Sequence, residues 1–138
     1  MTDKVTQKRV EQLKSGHKNL AEFQNIIFHQ GNVFSLPLTD GSLDAVFANM
    51  VLHHCPDPLA ALREMARLLR PGGRLVISDA DTHKHEWMKD EMSDVWLGFE
   101  RSQIRSWFAD AGLVNVIVAD SGETCRVGCA SHASASSE

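Results

Sequence analysis

The chain has 138 residues, of which 43% are hydrophobic and 23% are charged, and its formal net charge is −4. This length and hydrophobic content suffice for one compact core and leave no room for a second. The acidic balance argues against nucleic acid and against an anionic membrane as partners. No apolar run approaches the roughly 20 residues that span a membrane. An odd number of cysteines, three, favours free thiols and a cytoplasmic protein.

The first half of the chain predicts one helix and two strands. Residues 1–23 form a charged amphipathic pattern, with Val10, Leu13 and Leu20 on its apolar side. Residues 26–28 and 45–48 are short apolar runs, which are typical of parallel strands buried on both faces. The sequence therefore predicts a helix followed by strands of a parallel sheet.

A second helix is predicted directly after these strands. Asp57 is a favourable N-cap, and Pro58 suits the first helical position, where a missing N–H costs little. Pro71 to Gly73 then stops the helix and turns the chain into a third strand at residues 74–79. This order is that of a parallel βαβ connection. The apolar positions at helical spacing are Leu59, Leu62, Met65, Ala66 and Leu69.

Two more helices and one strand are predicted beyond residue 79. Apolar residues recur at helical spacing over 88–96 and 104–111, and a glycine follows each run. Residues 114–119 read as a strand. We expect an α/β domain over residues 1–120 and a flexible Ser-, Ala- and Cys-containing tail over 121–138.

The motifs of the central segment occur in a characteristic order. They are Gly31-Asn32, Leu36-Pro37-Leu38, Asp40 to Asp44, His53-His54, Asp57-Pro58 and Arg67 to Gly73. In this order they resemble the later half of a class I S-adenosylmethionine-dependent methyltransferase of type 11, the small-molecule branch. Three later runs, Asp79 to Trp87, Asp94 to Phe99 and Trp107 to Leu113, are similar to methyltransferases joined to small metal-responsive repressor domains, and the resemblance spans about residues 25–118. The resemblance implies a partial Rossmann-like fold, with a mostly parallel sheet of about four strands flanked by helices.

The resemblance also indicates which part of the fold is missing. Members of this family begin with a strand ending in an acid, a Gly-rich loop and a second strand ending in an acid for the ribose. Residues 1–24 contain none of these features. We therefore expect a truncated methyltransferase domain that binds S-adenosylmethionine weakly.

The candidate cofactor residues follow the first two predicted strands, since open α/β sheets bind ligands at the carboxyl ends of their strands. The resemblance assigns adenine contacts to the position of Asn32, whose carbonyl could accept the adenine amino hydrogen bond. A plain turn residue is the alternative for Asn32, and a core filler is the alternative for Met50. The full set is Gly31, Asn32, Val33, Asn49, Met50 and Val51.

The candidate catalytic residues are those that could accept a proton from the methyl acceptor. Position alone selects His54, His83 and Glu86. A structural role is the alternative for each, and Glu86 could complement a helix dipole. We assign no metal site, because His53 and His54 are adjacent in a loop and lack a third convergent ligand.

Two other functions stay open at the level of sequence. The chain could be a non-catalytic remnant that dimerises, since exposed strand edges pair readily. Alternatively, Cys125, Cys129 and His132 could bind a soft metal or an arsenical, although a tail with incidental thiols suits their spacing better. We expect a homodimer or larger assembly, a small-molecule methyl acceptor, and neither nucleic acid nor membrane as a partner.

Overall fold

A computed structural model describes residues 4–91, 94–122, 125–129 and 132–137, with the backbone alone at 4–10, 125–129 and 132–137. The chain divides into two compact units, Met1–Pro37 and Leu38–Glu138. The first unit contains helix α1 (Lys4–Asn19), which confirms the predicted N-terminal helix within shorter bounds. Its His17 ring lies 4.1 Å from the ring of Phe28 between centroids.

The second unit is built around two parallel strands, β1 (Leu43–Asn49) and β2 (Leu69–Ser78). Val46 pairs with Leu75 and Ala48 with Ile77 on the inner face of this sheet, where Ala48 is buried. Phe47 pairs with Val76 on the outer face, where Phe47 is 76% exposed. The parallel α/β fold is thus confirmed, but the described part of the chain covers only one face of these strands.

Helix α2 (Pro58–Leu68) connects the two strands and supplies about half of the buried hydrophobic side chains among the described residues. The Asp57 carboxylate accepts a hydrogen bond from the Ala60 N–H at 3.1 Å, and Pro58 occupies the first turn, as predicted. The helix ends at Leu68, three residues before Pro71, because β2 already begins at Leu69 opposite Leu43. The buried side chains of α2 are Pro58, Ala61, Leu62, Met65 and Leu68.

Two helices follow β2, and one of them is much shorter than predicted. Helix α4 (Arg101–Asp110) ends just before Gly112, which agrees with the sequence. Helix α3 comprises only Trp87–Glu91. The predicted helix over 88–96 does not include residues 94–96, because the N–H groups of Val95 and Trp96 both donate to the His53 carbonyl at 3.0 Å, and these long-range bonds replace helical ones.

Two of the four predicted strands do not form, so the expected count was wrong. Residues 26–28 and 114–119 are irregular, and the described parallel sheet has two strands. A strand persists only when ladder hydrogen bonds pair it with a neighbour, and neither segment has such a partner among the described residues. Val114 and Ile117 are accordingly exposed.

The backbone of the predicted tail forms a small antiparallel pair, β3 (Cys125–Cys129) with β4 (His132–Ser137). The flexibility of this tail stays a prediction. Within the described residues, every helix is too short or too polar to cross a membrane.

Candidate functional site

The carboxyl ends of β1 and β2 lie side by side, and hydrogen bonds to the end of β2 hold the turn that follows β1. Ser78 Oγ donates to the Asn49 side-chain oxygen at 2.6 Å, and the Met50 N–H donates to the Ser78 carbonyl at 2.8 Å. Met50 has a φ of 53°, in the left-handed region that non-glycine residues rarely adopt. Such strain concentrates at functional sites, which makes this predicted cofactor turn, Asn49 to Val51, of interest.

The strain at Met50 leads to a stability prediction. Replacing Met50 with Gly should leave the free energy of unfolding unchanged or raise it by up to about 1 kcal/mol, because glycine adopts this φ freely. Replacing it with Val should lower the free energy of unfolding by more than about 1 kcal/mol, since a β-branched residue tolerates a positive φ least. Urea unfolding of both variants checks this, and a Val variant as stable as the Gly variant would contradict it.

Asp79, the first residue after β2, holds the next turn in place. One oxygen of its buried carboxylate accepts from the N–H groups of Leu52 at 2.9 Å and His53 at 3.3 Å. The other oxygen accepts from the Ala80 N–H at 2.9 Å and lies 2.7 Å from His53 Nδ1. These bonds fix the 3₁₀ turn Leu52–His54 at the edge of the sheet.

Asp94 approaches the same turn from the other side. Its buried side chain lies 3.5 Å from His53 Nε2 and 3.6 Å from His54 Nδ1, measured from one carboxylate oxygen. The neighbouring Trp96 indole donates to the Cys55 carbonyl at 2.9 Å, which fastens the segment to the turn. His53 and His54 themselves lie with ring centroids 4.1 Å apart.

The charge around His53 is unusual for a buried imidazole. Burial lowers the pKa of His53, but its hydrogen bond to Asp79 and the negative charges of Asp79 and Asp94 outweigh that effect. The net result is a pKa above the usual value for histidine. The two carboxylates therefore create a strongly cation-favouring environment at this ring.

The other predicted catalytic residues lie after β2. Partial burial, together with the charge of His85, lowers the pKa of His83, while Asp94 acts in the opposite direction. His83 Nδ1 accepts from the His85 N–H at 3.3 Å. Glu86 is exposed and pairs with Lys89 at 3.2 Å. The structure thus brings His54 to Asp94, leaves His83 within the electrostatic influence of Asp94, and places Glu86 in solvent.

The first set of predicted cofactor residues, Gly31, Asn32 and Val33, belongs to the N-terminal unit. The Asn32 side chain accepts a hydrogen bond from the Phe34 N–H at 2.9 Å, and the Ser35 N–H donates to the Asn32 carbonyl at 3.0 Å. Asn32 therefore closes a turn, and its contact with adenine stays a prediction.

Two residues of this site were missed by the sequence analysis. An acid at the end of a strand was a usable signal for Asp79, whereas nothing local marks Asp94, which reaches the site only through the tertiary fold. Cys55 is buried and outside any disulfide, as expected, and its thiol donates to the Val51 carbonyl at 3.6 Å. The side chains of Cys125, Cys129 and His132 lie outside the described part of the structure.

An open cavity of about 330 Å³ lies beyond the end of β2. Arg101 spans one side of it and pairs with Asp81 at 2.5 Å. The hydrogen bond from Arg101 lowers the pKa of Asp81 below its usual range. The residues that line the cavity are Asp81, Thr82, Phe99, Glu100, Arg101 and Ser102.

Comparison with known proteins gives a family match. The model of the family described as "Methyltransferase domain" matches residues 5–77, more than half of the chain. An arsenite methyltransferase of Aquipseudomonas alcaligenes is 35% identical over 112 residues, which cover 71% of this chain and 32% of that protein. The 27-O-demethylrifamycin SV methyltransferase of Amycolatopsis mediterranei is 36% identical, over 54% of this chain and 28% of that protein.

Solved structures agree on the fold. A SAM-dependent methyltransferase from Aquifex aeolicus superposes with a TM-score of 0.59 at 19% identity, over 86% of this chain and 58% of that chain. YcgJ from Bacillus subtilis gives a TM-score of 0.60 at 25% identity, over 79% of this chain and 48% of that chain. The chain thus spans about a third of the curated relatives' length and about half of these structures.

Proposed function

This chain belongs to the methyltransferase domain family, and we propose that it forms part of an S-adenosylmethionine-dependent methyltransferase with a small-molecule acceptor. The observation that carries the proposal is the strained turn Asn49 to Val51 at the carboxyl ends of two parallel strands. Ligands of open α/β sheets bind at such ends. Asn49 and Met50 are exposed there and available to a cofactor, whereas Asp79 is committed to the 3₁₀ turn.

S-adenosylmethionine supplies an already activated methyl group, so the protein has mainly to align the acceptor and exclude water. If the acceptor loses a proton, His83 is the best-placed base, because its lowered pKa keeps the ring neutral and able to accept a proton near neutral pH. His54 is the second candidate. Glu86, which is exposed and paired with Lys89, is the least supported of the three.

We predict weak binding of S-adenosylmethionine to this chain. Without the Gly-rich loop and the ribose acid, at least two charge-assisted hydrogen bonds are lost, each contributing about 1.5 kcal/mol or more. Together they account for about a hundredfold in affinity, so a micromolar ligand becomes one with a Kd of about 100 μM. Calorimetric titration measures this value directly. No heat at millimolar cofactor would contradict the function, and a low-micromolar Kd would contradict the predicted weakness.

A pair of variants tests whether the strained turn takes part. Met50→Gly should weaken S-adenosylmethionine binding without loss of stability, because it removes the side chain and relieves the strain. Val114→Ala alters an exposed apolar residue elsewhere and serves as the control. Equal affinities for both variants and the parent would exclude Met50 as a cofactor contact.

We also propose that the chain assembles as a homodimer, in the cytoplasm. The outer face of the sheet, defined by Phe47 and Val76, is an exposed apolar surface that a second copy would cover. Light scattering on a size-exclusion column at micromolar concentration should give the mass of a dimer, and Phe47→Asp should give a monomer. A parent chain that elutes as a sharp monomer peak would contradict this assembly.

A further inference from the structure

Three metal-ligating side chains converge beside the sheet. They are His53 and His54 of the 3₁₀ turn and Asp94, which follows α3. One ligand atom from each lies within 4.8 Å of the others. His53 and Asp94 are buried, and the His54 side chain is 28% exposed. The cluster is therefore formed in the fold, with access from solvent on the His54 side.

The spacing of these atoms fits a metal ion better than direct hydrogen bonds. The Asp94 oxygen lies 3.5 Å from His53 Nε2 and 3.6 Å from His54 Nδ1. Good N–H···O bonds are shorter, at about 2.7–3.2 Å. A tetrahedral zinc ion with bonds of about 2.0–2.1 Å holds its ligand atoms about 3.4 Å apart. Both distances from the Asp94 oxygen are close to this separation between ligand atoms.

The tautomer of His53 is set by a second carboxylate. Asp79 Oδ1 lies 2.7 Å from His53 Nδ1, so this nitrogen carries the proton and donates to the carboxylate. The lone pair of Nε2 is then directed to the side where Asp94 lies. Carboxylates that orient a ligating histidine in this manner are a regular feature of zinc sites.

The charge of the cluster favours a dication. Asp79 and Asp94 are both buried, with side chains 6% and 3% exposed, on opposite sides of His53. Carboxylates buried in this manner are stabilised by a cation bound among them. A divalent ion balances both carboxylates while His53 and His54 stay neutral, as ligands must be.

From this arrangement we propose that His53 Nε2, His54 Nδ1 and Asp94 Oδ1 bind a zinc ion, with the fourth position open to solvent. The ion would fasten the 3₁₀ turn Leu52–His54 to the segment that follows α3. Zinc binding does not require methyl transfer, although it would engage His54, the second candidate base.

Zinc titration of the full chain by calorimetry tests the site. The thiols of Cys125 and Cys129 would also bind zinc, so the parent is the Cys125→Ser, Cys129→Ser double variant. We expect one zinc per chain and a higher melting temperature with zinc. His54→Ala and Asp94→Asn, each made in this parent, should weaken binding at least tenfold, whereas His29→Ala, an exposed histidine of the other unit, should not.

Two results of the zinc titration would overturn the proposed site. Absence of stoichiometric zinc in the parent, or unchanged affinity in His54→Ala, overturns the proposal. His54 is partly exposed, so this variant decides the matter even if Asp94→Asn fails to fold. Cobalt(II) in place of zinc should give the intense visible absorption of a four-coordinate ion, and a weak six-coordinate spectrum would overturn the tetrahedral assignment.

Discussion

Replacing Gly98 with alanine is expected to lower the free energy of unfolding by about 2–5 kcal/mol, one of the largest effects of any single methyl group in this chain. Gly98 has a φ of +75°, where any side chain is strained. A methyl group there would also lie within 2.5 Å of the Asp81 carbonyl carbon and 2.8 Å of the Thr82 amide nitrogen. Both obstacles are backbone atoms, which cannot rotate away.

The contact matters because this glycine lies where two segments run side by side. The Phe99 N–H donates to the Ala80 carbonyl at 2.9 Å, and the His83 N–H donates to the Leu97 carbonyl at 3.0 Å. Gly112→Ala is the matched control, because Gly112 has a φ of +86° and open space around it. Urea unfolding should show a loss of about 1–2 kcal/mol for the control. Equal losses in the two variants would show that the close approach costs nothing.

The parts of the fold that the sequence predicted well depend on local signals. Asp57 and Pro58 mark the start of α2 through capping chemistry that acts within four residues. Gly112 likewise marks the end of α4. Residues 26–28 and 114–119 have the composition of strands but lack ladder partners among the described residues. Strand composition alone does not supply a partner, and for this reason the count of four strands was wrong.

The candidate site, like the fold, could be predicted only where local sequence signals mark it. The position of the turn Asn49 to Val51 could be predicted because it follows the apolar run of β1 directly, whereas its contact with a cofactor stays a prediction. The role of Asp94 could not, because it depends on Val95 and Trp96 bonding to the His53 carbonyl rather than continuing a helix. The helical spacing over 88–96 is real, but those long-range bonds override it. The third ligand that the sequence lacked for His53 and His54 became visible only in the fold.

Replacing Asp79 with alanine should remove about 3–5 kcal/mol from the free energy of unfolding, a large part of the stability of a domain of this size. The change deletes an acceptor for the N–H groups of Leu52 and His53 and for the His53 ring. Leu52 and His53 are buried, so water cannot replace the lost bonds without opening the turn. Chemical unfolding in the presence of a chelator measures the effect on the metal-free chain.

Two comparisons separate this effect from a general loss of negative charge. Asp44→Ala is the control, because it too removes a carboxylate, here one that pairs with Arg70. The Asp44 side chain is 84% exposed, and exposed pairs contribute only about 0–1 kcal/mol. Asp79→Asn retains an acceptor oxygen without the charge, so its stability should fall between those of the parent and Asp79→Ala. If Asp79→Ala were no less stable than Asp44→Ala, the 3₁₀ turn would not depend on Asp79. If stability instead falls from the parent to Asp79→Asn and again to Asp79→Ala, hydrogen bonding and charge contribute separately to holding His53 beside Asp94.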